Sequence, residues 1–286
     1  MIKLAILITC YNRKNKTANC LNSLFSANIP KNISFKVFLV DDNSDDGTKD
    51  YVLSNFPDIK IIAGTGNLYW AGGMRLAWKT ALEYDKYDAF ILINDDVILK
   101  KDFLELLIKT DNYARSNFGK AGLYSSSTID MNYKKTSYGG NIITSYGFRV
   151  INKRLDPTDE PQKIDTVNAN ILWVDYSVVN KIGILDEKFT HGLADYDYAL
   201  RANHAKFPVM LTMGIGGYCD NNHPVNWLNE NYTLCERIKY LKSPTGLSYN
   251  NYIFYIRRHF PRSFPYSFSM LWLKTLFPIF WRIYKN

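Results

Sequence analysis

Four short stretches in the first hundred residues are mostly apolar, and each runs into a polar segment, rich in glycine or acid after all but the first. They cover residues 3–9, 35–40, 59–63 and 89–93, and they favour β-branched and aromatic side chains. Runs this short do not make free-standing helices and suit strands buried on both faces. Between them the apolar positions take helical spacing. Thr17, Ala18, Leu21, Leu24 and Phe25 mark one helix, residues 49–55 a short second one, and Leu76, Ala77, Thr80, Ala81 and Tyr84 one face of a third over 74–84. Strands alternating with helices at this pace predict a parallel sheet covered on both sides. The middle is less regular, with strands predicted over 119–127, 137–150, 165–175 and 208–212 and helices over 177–182 and 195–206. The division that follows is a domain over 1–215 and a helical extension over 216–286.

Composition adds a filled core: 47% of the 286 residues are apolar and 15% aromatic, which excludes a disordered chain. The four cysteines (Cys10, Cys20, Cys219 and Cys235) form no C-x-x-C pair, and they fit reduced thiols of a cytoplasmic protein. A secretory signal is not expected, because Asn12-Arg13-Lys14 follows the first apolar run where small residues should stand. No run reaches the ~18 residues of a membrane-spanning helix. The net charge of +8 is uneven. From Cys235 onward nine Lys and Arg face Glu236 alone, and the rest of the chain is balanced at 26 of each sign.

Candidate chemistry clusters at the C-terminal ends of the predicted strands, the edge where open α/β sheets bind ligands. Asn94-Asp95-Asp96 follows the fourth strand. It reads either as a polar turn before the next helix or as a cation site relieving the repulsion of adjacent acids. The acidic loop 41–48 is not a calcium loop, since Leu53 stands where a bidentate Glu is required. Its acids also suit a helix entry capped by Ser44 or Asp45. The glycine-rich segment 64–73 precedes a helix and permits close backbone approach to a phosphate or sugar. Neither G-x-G-x-x-G nor a P-loop occurs, which disfavours a nicotinamide dehydrogenase and an ATPase.

A second acidic cluster runs from His191 to Arg201. Asp197 and Arg201 stand four apart and are expected to pair. Asp195 has no such partner and reads as a general base or as a helix-start acid. His191 and His223 lie among loop residues. For each a surface position is the plain reading and a ligand contact the sharper one. The tail interleaves basic residues with Tyr, Phe, Trp and Leu. That suits the headgroup layer of an anionic membrane, with packing on the domain or on a partner subunit as the alternative. No nucleic-acid reader motif accompanies it.

Four motifs in order resemble glycosyltransferase family 2, the inverting nucleotide-sugar enzymes of the GT-A fold: Thr9-Cys-Tyr-Asn-Arg13, Val40-Asp-Asp-Asn-Ser-Asp-Asp-Gly-Thr48, Asn94-Asp95-Asp96, and Asp195-Tyr-Asp197 with Arg201. The segment Gly66-Asn-Leu-Tyr-Trp-Ala-Gly-Gly73 is similar to that of rhamnosyl- and related transferases of bacterial surface polysaccharide synthesis. The resemblance covers roughly residues 1–215 and implies a GT-A fold, a Rossmann-like, mainly parallel α/β sheet flanked by helices; the basic and aromatic helical extension follows it. It places Tyr11 near the nucleobase and Asp41 at the base edge. Thr9, Arg13, Asn67, Gly72, Gly73, Asn94 and Asp95 line the sugar nucleotide. It makes Asp96 the ligand of a divalent metal, Mn2+ or Mg2+, with His223 as a second ligand, and Asp195 the catalytic base. The implied partners are a UDP- or dTDP-linked sugar and a glycan or lipid-linked acceptor; the tail's composition adds the anionic inner face of the cell membrane, and a homodimer is left open. Two departures stand out: Asn94 replaces the first Asp of a D-x-D, and Ala194 precedes the base where an acid is common. The rival enzyme class is a sugar-phosphate nucleotidyltransferase, although Cys10-Tyr-Asn-Arg13 is not its glycine-rich basic loop. The rival without catalysis is a sugar-binding protein that has lost activity.

Overall fold

Residues 1–221 and 231–279 are described by a computed structural model, so His223 lies outside the described residues. Ile2–Cys10 (β1), Ile33–Asp41 (β2), Lys60–Ala63 (β3) and Ala89–Ile93 (β4) pair in parallel in the order β4-β1-β2-β3. Lys14–Phe25 (α1), Thr48–Asn55 (α2) and Tyr69–Tyr84 (α3) make the crossovers. Alternation along β1 splits the core into two layers. Leu4, Ile6 and Ile8 pack with Leu21, Leu24 and Phe103 on one face, while Ala5 and Leu7 meet Met74, Ala77 and Trp78 on the other. Fully burying each large apolar side chain contributes roughly 1.5–3 kcal/mol.

The chain continues through Ile98–Leu99 (β5), Phe103–Phe118 (α4), Leu123–Asp130 (β6), Lys135–Tyr138 (β7), Gly140–Tyr146 (β8) and Arg149–Arg154 (β9). Gln162–Lys163 (β10), Thr166–Val167 (β11), Ile171–Asp175 (β12), Tyr176–Ile182 (α5), Ala194–His204 (α6) and Val209–Tyr218 (β13) follow. The large sheet runs β10-β13-β6-β12-β4-β1-β2-β3, with β12 antiparallel to both neighbours and β13 parallel to β6. A separate three-stranded sheet, β11-β8-β9, stands beside it. Leu234–Lys242 (α7), Tyr249–His259 (α8) and Phe264–Leu276 (α9) form the C-terminal helices. No described helix is long and apolar enough to cross a membrane.

Two differences from the sequence reading have clear causes. The third helix begins at Tyr69 instead of residue 74, because the Asp42 carboxylate accepts from the free N–H groups of Leu68 and Tyr69 and so caps it early. Gly72 and Gly73 therefore sit inside a helix. The predicted strand over 137–150 is instead broken twice. Gly139, at φ +155°, takes a conformation that a side chain would strain, and a turn at Gly147 (φ +57°) sends the chain back as β9.

Candidate active site

The ends of β1, β2 and β4 open onto one rim, and side chains tie their loops together. The Asn12 N–H donates to Ser44 Oγ and the Asp45 N–H donates to Asn12 Oδ1, both at 2.9 Å. Asp41 is buried and accepts from the Ser44 N–H at 3.0 Å. Its neighbour Asp42 holds the glycine-rich loop, accepting from Gly66, Leu68 and Tyr69 backbone N–H groups at 2.7, 2.8 and 3.2 Å. Gly64 must lack a side chain there, since a Cβ would stand 2.5 Å from Asp42 Oδ1. Gly73 has a similar reason: its Cβ would fall 2.0 Å from Thr9 Oγ1, so α3 lies directly on β1.

The start of α3 reaches two further loops. Trp70 Nε1 donates to Asn94 Oδ1 at 2.7 Å, and the Trp70 N–H points at His191 Nδ1 at 3.4 Å. The Ala71 N–H donates to the Thr190 carbonyl at 3.1 Å. Burial and the charge of Arg13 both hold the His191 imidazole below its ordinary value, which favours the neutral ring.

Asp95 and Asp96 end the central strand facing cations. Arg13 Nη1 lies 3.2 Å from Asp95 Oδ1 and 3.2 Å from Asp96 Oδ2, and Lys16 Nζ lies 4.0 Å from Asp96. Burial pushes Asp95 up to about 7; Arg13 opposes this and the Asp96 charge adds to it. Asp95 Oδ2 is buried without a hydrogen-bond partner among the described residues. Cys219 Sγ sits 3.6 Å from Asp96 Oδ1, and burial raises its thiol well above the usual range. This pair of hard carboxylates, one oxygen unpartnered, fits Mn2+ or Mg2+. Such ions take one or two protein carboxylates and complete their shell with phosphate and water. No group of three or more His, Cys, Asp or Glu side chains able to hold a metal occurs among the described residues.

Asp195 lies in the first turn of α6, which follows Leu193 in the left-handed region (φ +69°). Its Oδ2 accepts from the Ala169 N–H at 3.1 Å, and Oδ1 accepts from the Tyr196 N–H at 3.0 Å. Burial raises its carboxyl to about 6 against those hydrogen bonds, a value suited to a base near neutral pH. The next residue, Asn170, accepts the Asn94 N–H on its carbonyl at 3.1 Å. One dipeptide, 169–170, thus anchors both the Asp195 carboxylate and the loop of the acid pair.

Asp197 pairs with Arg201 at 2.9 Å as its spacing predicts, but it is also a wider junction. Fully buried, it meets Arg258 at 3.1 Å and His259 at 2.8 Å, both from α8. Arg258 also reaches Asp186 at 2.7 Å. Part of the basic tail is therefore packed on the domain. Of the other residues singled out from the sequence, Tyr11 is 53% exposed on the rim and Asn67 is exposed in the glycine-rich loop. Asp42, Trp70 and the α8 side chains Arg258 and His259 emerge only from the structure. Asp42 was legible only as one acid among several, and the others act over long sequence separations.

A model of glycosyl transferase family 2 matches residues 5–168. No curated protein matches the chain. Among solved structures, S. aureus TarS 1–349 in complex with UDP-GlcNAc is similar at a TM-score of 0.57 and 14% identity, covering 96% of this chain and 80% of that one. A second TarS 1–349 structure gives 0.53 at 15% identity over 77% and 60% of the two chains. The mannosyltransferase PcManGT from Pyrobaculum calidifontis, in complex with GDP-Man and Mn2+, gives 0.52 at 13% identity over 82% and 60%. The match thus spans about 60% of the chain in the latter two structures. These likenesses carry the fold, and the family match covers more than half of the sequence. The chain belongs to glycosyltransferase family 2, with the GT-A fold.

Proposed function

We propose that the chain is an inverting glycosyltransferase that moves a sugar from a UDP- or dTDP-linked donor to a hydroxyl of a lipid-linked glycan in bacterial surface polysaccharide synthesis. The observation that carries this reading is the dipeptide 169–170, which ties Asp195 to the loop of Asp95 and Asp96. The acid pair lies on the donor side, where Arg13 and Lys16 supply positive charge for a diphosphate. Asp96, with Asp95 beside it, would hold the metal. A divalent ion held there would supply positive charge to offset that of a nucleoside diphosphate.

Asp195 accepts the proton of the acceptor hydroxyl, whose oxygen forms a bond to the anomeric carbon as the bond to the diphosphate oxygen breaks on the opposite face. The Ala169 N–H orients the carboxylate for this. Tyr11 and Asp41 are assigned to the nucleobase, and Asn67 to the sugar nucleotide. For the tail, α9 leaves Tyr266, Phe268, Leu273 and Leu276 exposed, which supports docking on the anionic inner face of the cell membrane. The related structures with UDP-GlcNAc and with GDP-Man and Mn2+ support a sugar-nucleotide donor and a metal.

The direct test incubates the chain with a panel of sugar nucleotides, Mn2+ and a lipid-linked glycan, and follows release of nucleoside diphosphate. Pyrophosphate release from a nucleoside triphosphate and a sugar phosphate would point to a nucleotidyltransferase instead. Donor binding without turnover would point to a sugar-binding protein.

A further inference from the structure

Arg154, the last residue of β9, is half-buried and makes no ion pair among the described residues. Its Nη1 donates to the Thr136 carbonyl at 3.3 Å, and its guanidinium lies 5.9 Å from the centre of the Tyr138 ring. Its Nε is buried and has no hydrogen-bond partner among the described residues. A buried guanidinium N–H without an acceptor costs free energy that a native chain rarely leaves unrecovered.

The surroundings are polar, and two further buried groups there lack a hydrogen-bond partner among the described residues. Arg154 pairs in register with Asn141, whose side chain reaches the Tyr196 hydroxyl at 3.5 Å. Asn168 reaches the same hydroxyl from the other side at 3.4 Å, while its Oδ1 is buried and unpartnered. Ser127 Oγ, also unpartnered, faces the backbone of Gly139, whose carbonyl accepts the Asn168 N–H at 2.7 Å. Tyr196 directly follows Asp195, so this cradle adjoins the proposed base. The charge of Arg154 is felt at both the Tyr196 and Tyr138 phenols, which places it within electrostatic reach of each. The Tyr196 phenol also feels the Asp195 carboxylate, so Arg154 stands on the Asp195 side of the site, apart from Arg13 and Lys16 at the acid pair.

We propose that Arg154, framed by Asn141, Asn168 and Tyr196 beside Asp195, binds an anionic group of the acceptor, a phosphate or a carboxylate, next to the hydroxyl that receives the sugar. This rests on the transferase reading for the word acceptor, but not for the anion site itself. The planar fork of Arg suits both oxyanions, and a neutral glycan would leave Nε unpaired.

Two measurements on the full chain separate the claims. The first follows thermal stability during titration with inorganic phosphate, with no donor present. Phosphate raises the melting temperature of the parent chain, and Arg154→Gln weakens the apparent affinity roughly tenfold or more, the size expected for a charge-assisted hydrogen bond. Arg154→Lys, which keeps the charge and loses the fork, falls between them. Equal responses in all three chains would overturn the site whether or not the chain transfers sugar. The second compares transfer to an acceptor bearing a phosphate or carboxylate with transfer to its neutral counterpart. The ratio of kcat/KM values favours the anionic acceptor, and Arg154→Gln lowers that ratio roughly tenfold through KM. A parent ratio near one, or a variant that slows both acceptors equally, would overturn the assignment. So would a loss of UDP affinity in Arg154→Gln as large as its loss of phosphate affinity, because the charge would then serve the donor.

Discussion

The indole N–H of Trp70 donates to the side-chain carbonyl of Asn94 at 2.7 Å, joining the glycine-rich loop to the loop of the acid pair. This gives the departure at Asn94 a physical role. The amide accepts the indole without adding a third negative charge beside Asp95, which burial already holds up to about 7. Trp70→Phe keeps the ring and removes the donor, so it should lower stability by about 1 kcal/mol and reduce turnover more than that loss explains. Urea denaturation and nucleoside diphosphate release check the two parts.

Arg13 neutralises both acids at once, and removing it should expose their repulsion. Arg13→Gln is expected to cost about 1–2 kcal/mol in a chelating buffer, since the Arg13 side chain is 48% exposed and solvent screens the pair. Mn2+ should then raise the melting temperature of the variant by more than that of the parent chain. A thermal melt with and without the ion decides this.

Asp195 sets a pH dependence. As a base it must be ionised, so transfer should rise as pH climbs through about 6 and level off above it. Asp195→Asn should abolish transfer while nucleotide affinity stays close to that of the parent chain. Linkage has the opposite sign. The folded chain keeps a proton that the unfolded carboxyl, near 3.8, gives up earlier. This group therefore lowers stability as pH rises from about 4 to about 6. Asp195→Asn should be more stable relative to the parent chain at pH 7 than at pH 4, as measured by urea denaturation at both.

Among the described residues, Asp197 is the buried acid that meets the most basic side chains. Asp197→Asn strands Arg201, Arg258 and His259 together, and the expected loss is about 3–5 kcal/mol. Limited proteolysis should then cut near α8 sooner than in the parent chain.

The exposed apolar side chains of α9 predict binding to vesicles that contain anionic lipid, weakening as salt is added. Leu273→Glu and Leu276→Glu together should abolish sedimentation with the vesicles. Equal binding of the parent chain to neutral and anionic vesicles would remove the electrostatic part of this reading.

What the sequence shows well is local. The run 89–93 is the observed β4, buried at every position, because a strand covered on both faces needs only apolar side chains to declare itself. The pairing of Asp197 with Arg201 was legible for the same reason, since four residues on a helix fix the distance. The capping of α3 by Asp42 was hidden, because its 24- to 27-residue reach depends on β2 and β3 lying side by side. The Trp70–Asn94 bond also needs the tertiary fold. The segment 135–154 reads poorly since its strands show no regular alternation, and glycines decide where it turns.

The Asp197 junction also bears on the order in which the chain is assembled. The pairings of β1 to β4 close by residue 93, so that half of the sheet has its partners early in synthesis. Asp197, two residues from the proposed base, meets Arg258 and His259 only 61 and 62 residues later. A nascent chain halted between these points would hold a formed rim, with the helix of Asp195 still missing two of the side chains that seat it.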